Sequence, residues 1–193
     1  MLKKILMGTS TILVALTFSG CTMIKMGTTF MGFESETQKA YADMMAIIGE
    51  TGDPAQAMMK EWKVADNVSE EDLFENMKEL AENYNMRFVG EKNMFRIKDG
   101  KPDEVVHERI GEFCSLSIAK KMLNHSRYYG GFMPCRVIFV EYGDGRRYLI
   151  SMDMTLALYG GTDKKPINKD LFEDMLAVKK AMEEIPAKAA AGE

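Results

Sequence analysis

The sequence predicts an α+β fold, a single domain of order β-α-β-β-α-β-β-α with helices packed on one sheet, preceded by a short N-terminal helical hairpin. Three observations carry this reading. Residues 69–84 keep Leu73, Phe74, Met77, Leu80, Ala81 and Tyr84 on one face at helical spacing. Arg136 to Tyr142 is an apolar run of strand length, joined through Gly143-Asp144-Gly145 to a second run ending at Asp153. Lys169 to Ile185 again repeats apolar residues with the period of a helix.

Each element has its own local signal. Ser35 and Gln38 form an S-x-x-Q capping box, opening a helix that Gly49 and Thr51-Gly52 stop. Asp53-Pro54 restarts a short helix as N-cap and first helical residue. Glu61 to Ala65 is the first strand. Ser69 caps the next helix, with Glu70, Glu71 and Asp72 in the first turn, where the helix dipole favours carboxylates. Met86 to Gly90 is the second strand, and a charged segment follows with a turn at Asp99-Gly100-Lys101-Pro102. Val105 to Phe113 is the third. Ser115 to His125 is a helix with Leu116, Ala119, Met122 and Leu123 inward. The run 136–142 has the composition of a strand covered on both faces. Pro186 ends the last helix, leaving a frayed alanine-rich tail over 186–193.

The first 20 residues read as a lipoprotein signal peptide. Lys3 and Lys4 precede an apolar run from Ile5 to Phe18, too short for the ~20 residues of a membrane-spanning helix. Phe18-Ser19-Gly20-Cys21 resembles a bacterial lipobox, with Phe18 in the usual leucine position; the competing reading is an ordinary cleaved signal with a chance cysteine. The resemblance implies an acylated Cys21 as the new N-terminus. Thr22 after it fits outer-membrane sorting, so the expectation is a lipid-anchored protein facing the periplasm. Residues 21–33 then form a tether, 34–61 the N-terminal helices and 62–185 the α+β domain.

Composition excludes several functions. Without Lys3 and Lys4 the formal charge goes from −4 to −6, and there is no basic stripe to hold a nucleic acid. No phosphate-binding glycine loop, C-x-x-C pair or G-x-S-x-G elbow occurs. No cofactor and no metal site is assigned. His107 and His125 with Cys114 and Cys135 supply zinc-ligand types, but at spacings that match no zinc motif. The 18 methionines in 193 residues read as flexible core filler, against the alternative of thioethers gathered for a soft metal.

Cys114 and Cys135 remain for an oxidising compartment. Cys114 lies where a strand meets a helix N-terminus, a setting that lowers a thiol pKa, whereas Cys135 enters an apolar strand, where burial raises it. A disulfide between them stays open. In a βαβ crossover the two would lie about a strand length apart, ~17–20 Å, beyond the reach of a disulfide. The candidate thiol or ligand site is Cys114, Cys135 and Arg136; no catalytic residue is assigned.

The stretch from Phe113 to Asp153 resembles the bacterial family called domain of unknown function 302. Its Cys-Asn-Pro-like turn and Leu-Pro-Cys step correspond to Cys114-Ser115-Leu116 and Met133-Pro134-Cys135-Arg136, with Ser115 and Leu116 departing from Asn-Pro. The resemblance extends over Trp62 to Ile185 and implies a compact, dimeric α+β domain with no established biochemical role. Two functions follow as expectations: an anchored binding or interaction module for itself, a partner or an unknown small ligand; or, alternatively, a thiol-based redox or soft-metal and sulfur-species binding protein centred on Cys114 and Cys135.

Overall fold

The computed structural model describes residues 22–193. The expected signal peptide and the expected acylation site, Cys21, lie outside the described residues. Five strands form one antiparallel sheet: β1 (Met59–Lys63), β2 (Arg87–Arg96), β3 (Val105–Cys114), β4 (Cys135–Tyr142) and β5 (Arg147–Met152), in the spatial order β1-β5-β4-β3-β2. From residue 35 onward the α-helices are α1 (Ser35–Thr51), α2 (Glu70–Asn83), α3 (Leu116–His125), α4 (Thr155–Tyr159) and α5 (Lys169–Ala191). From β1 onward the order is the expected one, with the short α4 added between β5 and the last helix. Among the described residues no helix is long and apolar enough to cross a membrane.

The core lies between one face of the sheet and helices α2, α3 and α5. Phe74 and Met77 of α2, Phe113 of β3, Phe139 of β4, Leu149 of β5 and Met175 of α5 are all fully buried. Gly111, in the middle of β3, leaves room for the Phe74 and Phe88 rings, each of which would stand within 3.4 Å of a Cβ there. Ser69 caps α2 as expected, its hydroxyl accepting from the Asp72 N–H at 3.1 Å. Gly145, at φ +87°, turns β4 into β5.

The opposite face of the sheet is uncovered, so β4 is not buried on both sides. Val137 and Phe139 point to the core, while the alternate residues Ile138 and Val140 remain half-exposed. Antiparallel pairing permits this, because no crossover helices need to cover the second face. The middle row of that face runs Glu61, Ile150, Ile138, Ile110, Lys92 across the five strands.

Several local expectations are corrected. Residues 22–31 are helical rather than an extended tether, with mostly exposed side chains. The Ser35 box does not form: Glu34 is the N-cap without a side-chain bond, and Gln38 donates back to the Phe33 carbonyl at 2.9 Å. Gly52, left-handed at φ 71°, ends α1, and Gly49 lies within it. Asp53 accepts from the Ala55 and Gln56 N–H groups, but only a 3₁₀ turn follows, Gln56–Met58 with Ala55 as N-cap, so no helical hairpin forms here. Helix α1 instead packs against α4, where the Tyr41 hydroxyl donates to the Gly160 carbonyl at 3.0 Å.

Strand β1 begins two residues before the expected Glu61. Strand β2 runs on to Arg96 through the segment expected to be irregular. Bulges at Val89 and Met94 break its alternation while β3 supplies the ladder. Helix α3 is rotated from the expected face. Ile118 and Met122 are buried, whereas Leu116 and Leu123 are 58% and 43% exposed. Finally, α5 continues through Pro186 to Ala191, and the tail is not frayed. Ala189 and Ala190 are buried, and the Ala190 carbonyl accepts from the Ala65 N–H at 2.8 Å. This packing offsets the hydrogen bond that proline removes.

Candidate functional site

The ladder between β4 and β5 ends at Val137–Ser151. Beyond that pair each strand follows its other neighbour. β5 stays with β1 as far as Met59–Met152, and β4 stays with β3 as far as Phe113–Cys135. The two central strands therefore splay at this end of the sheet. A partly enclosed cavity of about 140 Å³ occupies the gap.

Its wall is rich in sulfur. Met59 and Met152 come from the paired ends of β1 and β5, Met154 from the turn after β5, and Met122 and Met182 from α3 and α5; Cys135 adds a thiol. Tyr129 and Phe132, with ring centroids 6.2 Å apart, come from the 3₁₀ segment Arg127–Phe132. Thioethers and aromatic edges are polarizable and adaptable, a lining that accepts varied apolar shapes. The neutral polar groups are already engaged. The Tyr129 hydroxyl donates to the Ala157 carbonyl at 2.9 Å, and the Ser151 hydroxyl to the Arg136 carbonyl at 3.0 Å.

Of the expected site residues, Cys135 and Arg136 line this cavity and Cys114 does not. The crossover geometry is corrected: β3 and β4 are antiparallel neighbours, so the end of one lies beside the start of the other. Cys135 pairs with Phe113, one residue from Cys114, not a strand length away. Alternation turns Cys114 toward the other face, and both cysteines are free thiols. Burial pushes the Cys114 thiol up, opposite to the helix-terminus expectation. Cys114 ends β3 and Ser115 is the N-cap residue of α3, so the thiol does lie at the strand-to-helix junction. Cys135 is pushed up to about 11, by burial first and then by Cys114. Some of its surface remains open to solvent, but the thiol itself is enclosed. Neither cysteine is set up as a thiolate at neutral pH.

A second cluster joins α2 to the sheet. His107, buried on β3, places Nδ1 2.7 Å from the Phe95 carbonyl and Nε2 3.0 Å from Glu70 Oε1. Arg96 and Arg109 also donate to Glu70, at 2.5 and 3.0 Å, and Arg109 continues to Glu91 at 2.7 Å. Burial alone would raise the Glu70 carboxyl, but hydrogen bonds from His107, Arg96 and Arg109 outweigh it and hold the group below the usual glutamate value. The cluster borders an open cleft of about 420 Å³. Both ring nitrogens of His107 are engaged, one with the Phe95 carbonyl and one with Glu70, so the ring has no free nitrogen to offer a metal or a substrate. His125 lies instead against the Tyr129 ring, at 6.2 Å between centroids. The cluster is an ionic clamp, and the larger cleft beside it is not the better binding site. Read locally, Glu70 is a helix-dipole residue, and no motif in the chain signals its partners.

A five-stranded antiparallel sheet with its helices on one face defines an α+β domain, here with a cavity of about 140 Å³ at one sheet end. The chain belongs to the family Domain of unknown function DUF302, whose sequence profile matches residues 61–185. Among solved structures it is similar to an uncharacterized conserved DUF302 protein from Bacillus stearothermophilus. The two are 12% identical with a TM-score of 0.49, covering 68% of this chain and 98% of that one. No curated protein matches the chain.

Proposed function

We propose that this protein is a lipid-anchored envelope protein whose DUF302 domain is a non-enzymatic binding module, taking a small molecule into the cavity between β4 and β5. The anchoring half rests on Phe18-Ser19-Gly20-Cys21 after the apolar run, with the domain facing the periplasm. The binding half rests on one observation: the ladder between β4 and β5 stops beside a largely apolar, sulfur-lined cavity. Cavities of this kind, apolar with few polar groups, are where small ligands bind. A cavity of about 150 Å³ is large enough for a benzene-sized molecule.

The thiol alternative is less well supported. Redox exchange needs a thiolate, and burial keeps both thiols protonated at neutral pH. A soft metal could use the thioethers, but would have to displace the proton of Cys135.

The test uses the full chain in lipid nanodiscs, with no detergent to fill the cavity, and ¹³C-methyl methionine. Toluene should shift Met59, Met122, Met152, Met154 and Met182 and leave the exposed Met45 and Met94 in place. No shifts up to the solubility of toluene, or shifts confined to exposed methionines, would overturn the binding half.

A further inference from the structure

Arg136 lines the cavity, is solvent-exposed, and has no hydrogen-bond or ion-pair partner for its guanidinium among the described residues. The guanidinium groups of Arg96, Arg109, Arg127 and Arg146 have side-chain partners, and that of Arg147 donates to the Val68 and Ala65 carbonyls. Arg87 is also without a partner among the described residues but does not line the cavity. The rest of the wall is apolar or internally satisfied, and among the described residues no buried side-chain nitrogen or oxygen lacks a partner. The cavity interior thus offers a ligand no polar anchor, while its border offers one unpaired cation.

We infer that the ligand is a small amphipathic carboxylate, its apolar body in the sulfur-lined cavity and its carboxylate on the Arg136 guanidinium. This rests on the binding reading above and specifies the ligand class. A guanidinium presents paired N–H donors that match the two oxygens of a carboxylate, a geometry a lysine could not offer. The volume limits the body to a benzene ring or a short alkyl chain. Met122 and Met182 can adjust to either, because an unbranched thioether has several rotamers available. The enclosed Cys135 thiol stays neutral and does not repel the carboxylate.

The experiment measures affinity by titration calorimetry on the full chain in nanodiscs, using phenylacetate, hexanoate, toluene and acetate as probes. Phenylacetate or hexanoate should bind at least about tenfold more tightly than toluene, and acetate should not bind. The stronger of the two carboxylates distinguishes an aromatic from an acyl body. Arg136→Gln should remove the tenfold advantage of the carboxylates over toluene, and an unfolding midpoint matching wild type shows that the variant is folded. If toluene binds but neither carboxylate binds more tightly, the ligand class is wrong and the cavity reading stands. The ligand class is equally wrong if Arg136→Gln leaves the carboxylate advantage intact. If none of the four probes binds, the cavity reading itself fails and the inference falls with it.

Discussion

His107 Nε2 lies 3.0 Å from Glu70 Oε1, joining the first residues of β3 to the first turn of α2. The two residues are 37 positions apart, and the bond exists only because α2 lies across the sheet at β2 and β3. Arg109 strengthens the join from a second side, its guanidinium carbon 3.9 Å above the Phe74 ring while it bonds Glu70 and Glu91.

Glu70→Gln should therefore destabilise the fold by about 1–3 kcal/mol, the cost of weakening charge-assisted bonds to His107 and Arg109, which stay largely buried, while the exposed Arg96 adds little. The pH dependence has a definite sign. The carboxyl of Glu70 is depressed in the folded state, so its contribution is complete above the ordinary value of 4.5 and is lost as pH falls through the lower folded value. Urea unfolding from pH 6 downward should show wild type losing more stability than Glu70→Gln. Parallel curves would remove the clamp.

The cysteines give an alkylation prediction. With both thiols pushed up by burial, an iodoacetamide-type probe should label the native protein slowly at pH 7 and faster as pH rises toward 11. Cys135→Ser should cost about 1–3 kcal/mol, since a hydroxyl placed in the thioether wall has no evident partner there. Rapid labelling of Cys114 at neutral pH would restore the helix-terminus thiolate.

The helical blocks and hairpins of this fold were legible because periodicity and turn chemistry are local. The apolar face of α2 and the Gly143–Gly145 turn needed nothing from the rest of the chain. Helix α3 was harder. Leu116, Ile118, Met122 and Leu123 fit two helical faces, and only the packing of Met122 against the sheet end selects between them. Pro186 carried a local stop signal that the burial of Ala189 and Ala190 overrides. At the site, Cys135 and Arg136 could be singled out from the chain. The splay that makes a cavity beside them depends on strand pairing, which no single segment encodes.

Ala189 tests the override directly. It is fully buried, so Ala189→Leu should overpack the junction of α5 with the segment after β1 and cost about 1–3 kcal/mol in thermal or urea unfolding. An unchanged midpoint would mean that the residues after Pro186 do not pack.

Self-association is proposed on the open sheet face. The row Glu61, Ile150, Ile138, Ile110, Lys92 has apolar residues at its centre and opposite charges at its ends. A two-fold axis along the strands sets the Glu61 end of one copy over the Lys92 end of another. Lys92 already donates to Glu112 at 2.6 Å, so the isoleucines supply most of the attraction. The full chain should sediment as a dimer and Ile150→Asp as a monomer. A wild-type monomer across the micromolar range excludes this face.

For the anchor, Cys21→Ser should release the protein from the membrane fraction or leave its signal uncleaved. The intact mass of the wild-type protein should include acyl chains. Membrane fractionation unchanged by the substitution, with no acyl mass in wild type, would exclude anchoring at Cys21.

The binding role depends most on the space between β4 and β5. A crystal of the protein pressurised with xenon tests it directly, because xenon enters apolar cavities and needs no polar partner. Xenon density should appear beyond the Val137–Ser151 pair, among Cys135, Met122 and Met182. A ladder closed past that pair, with no xenon between the strands, would contradict the site.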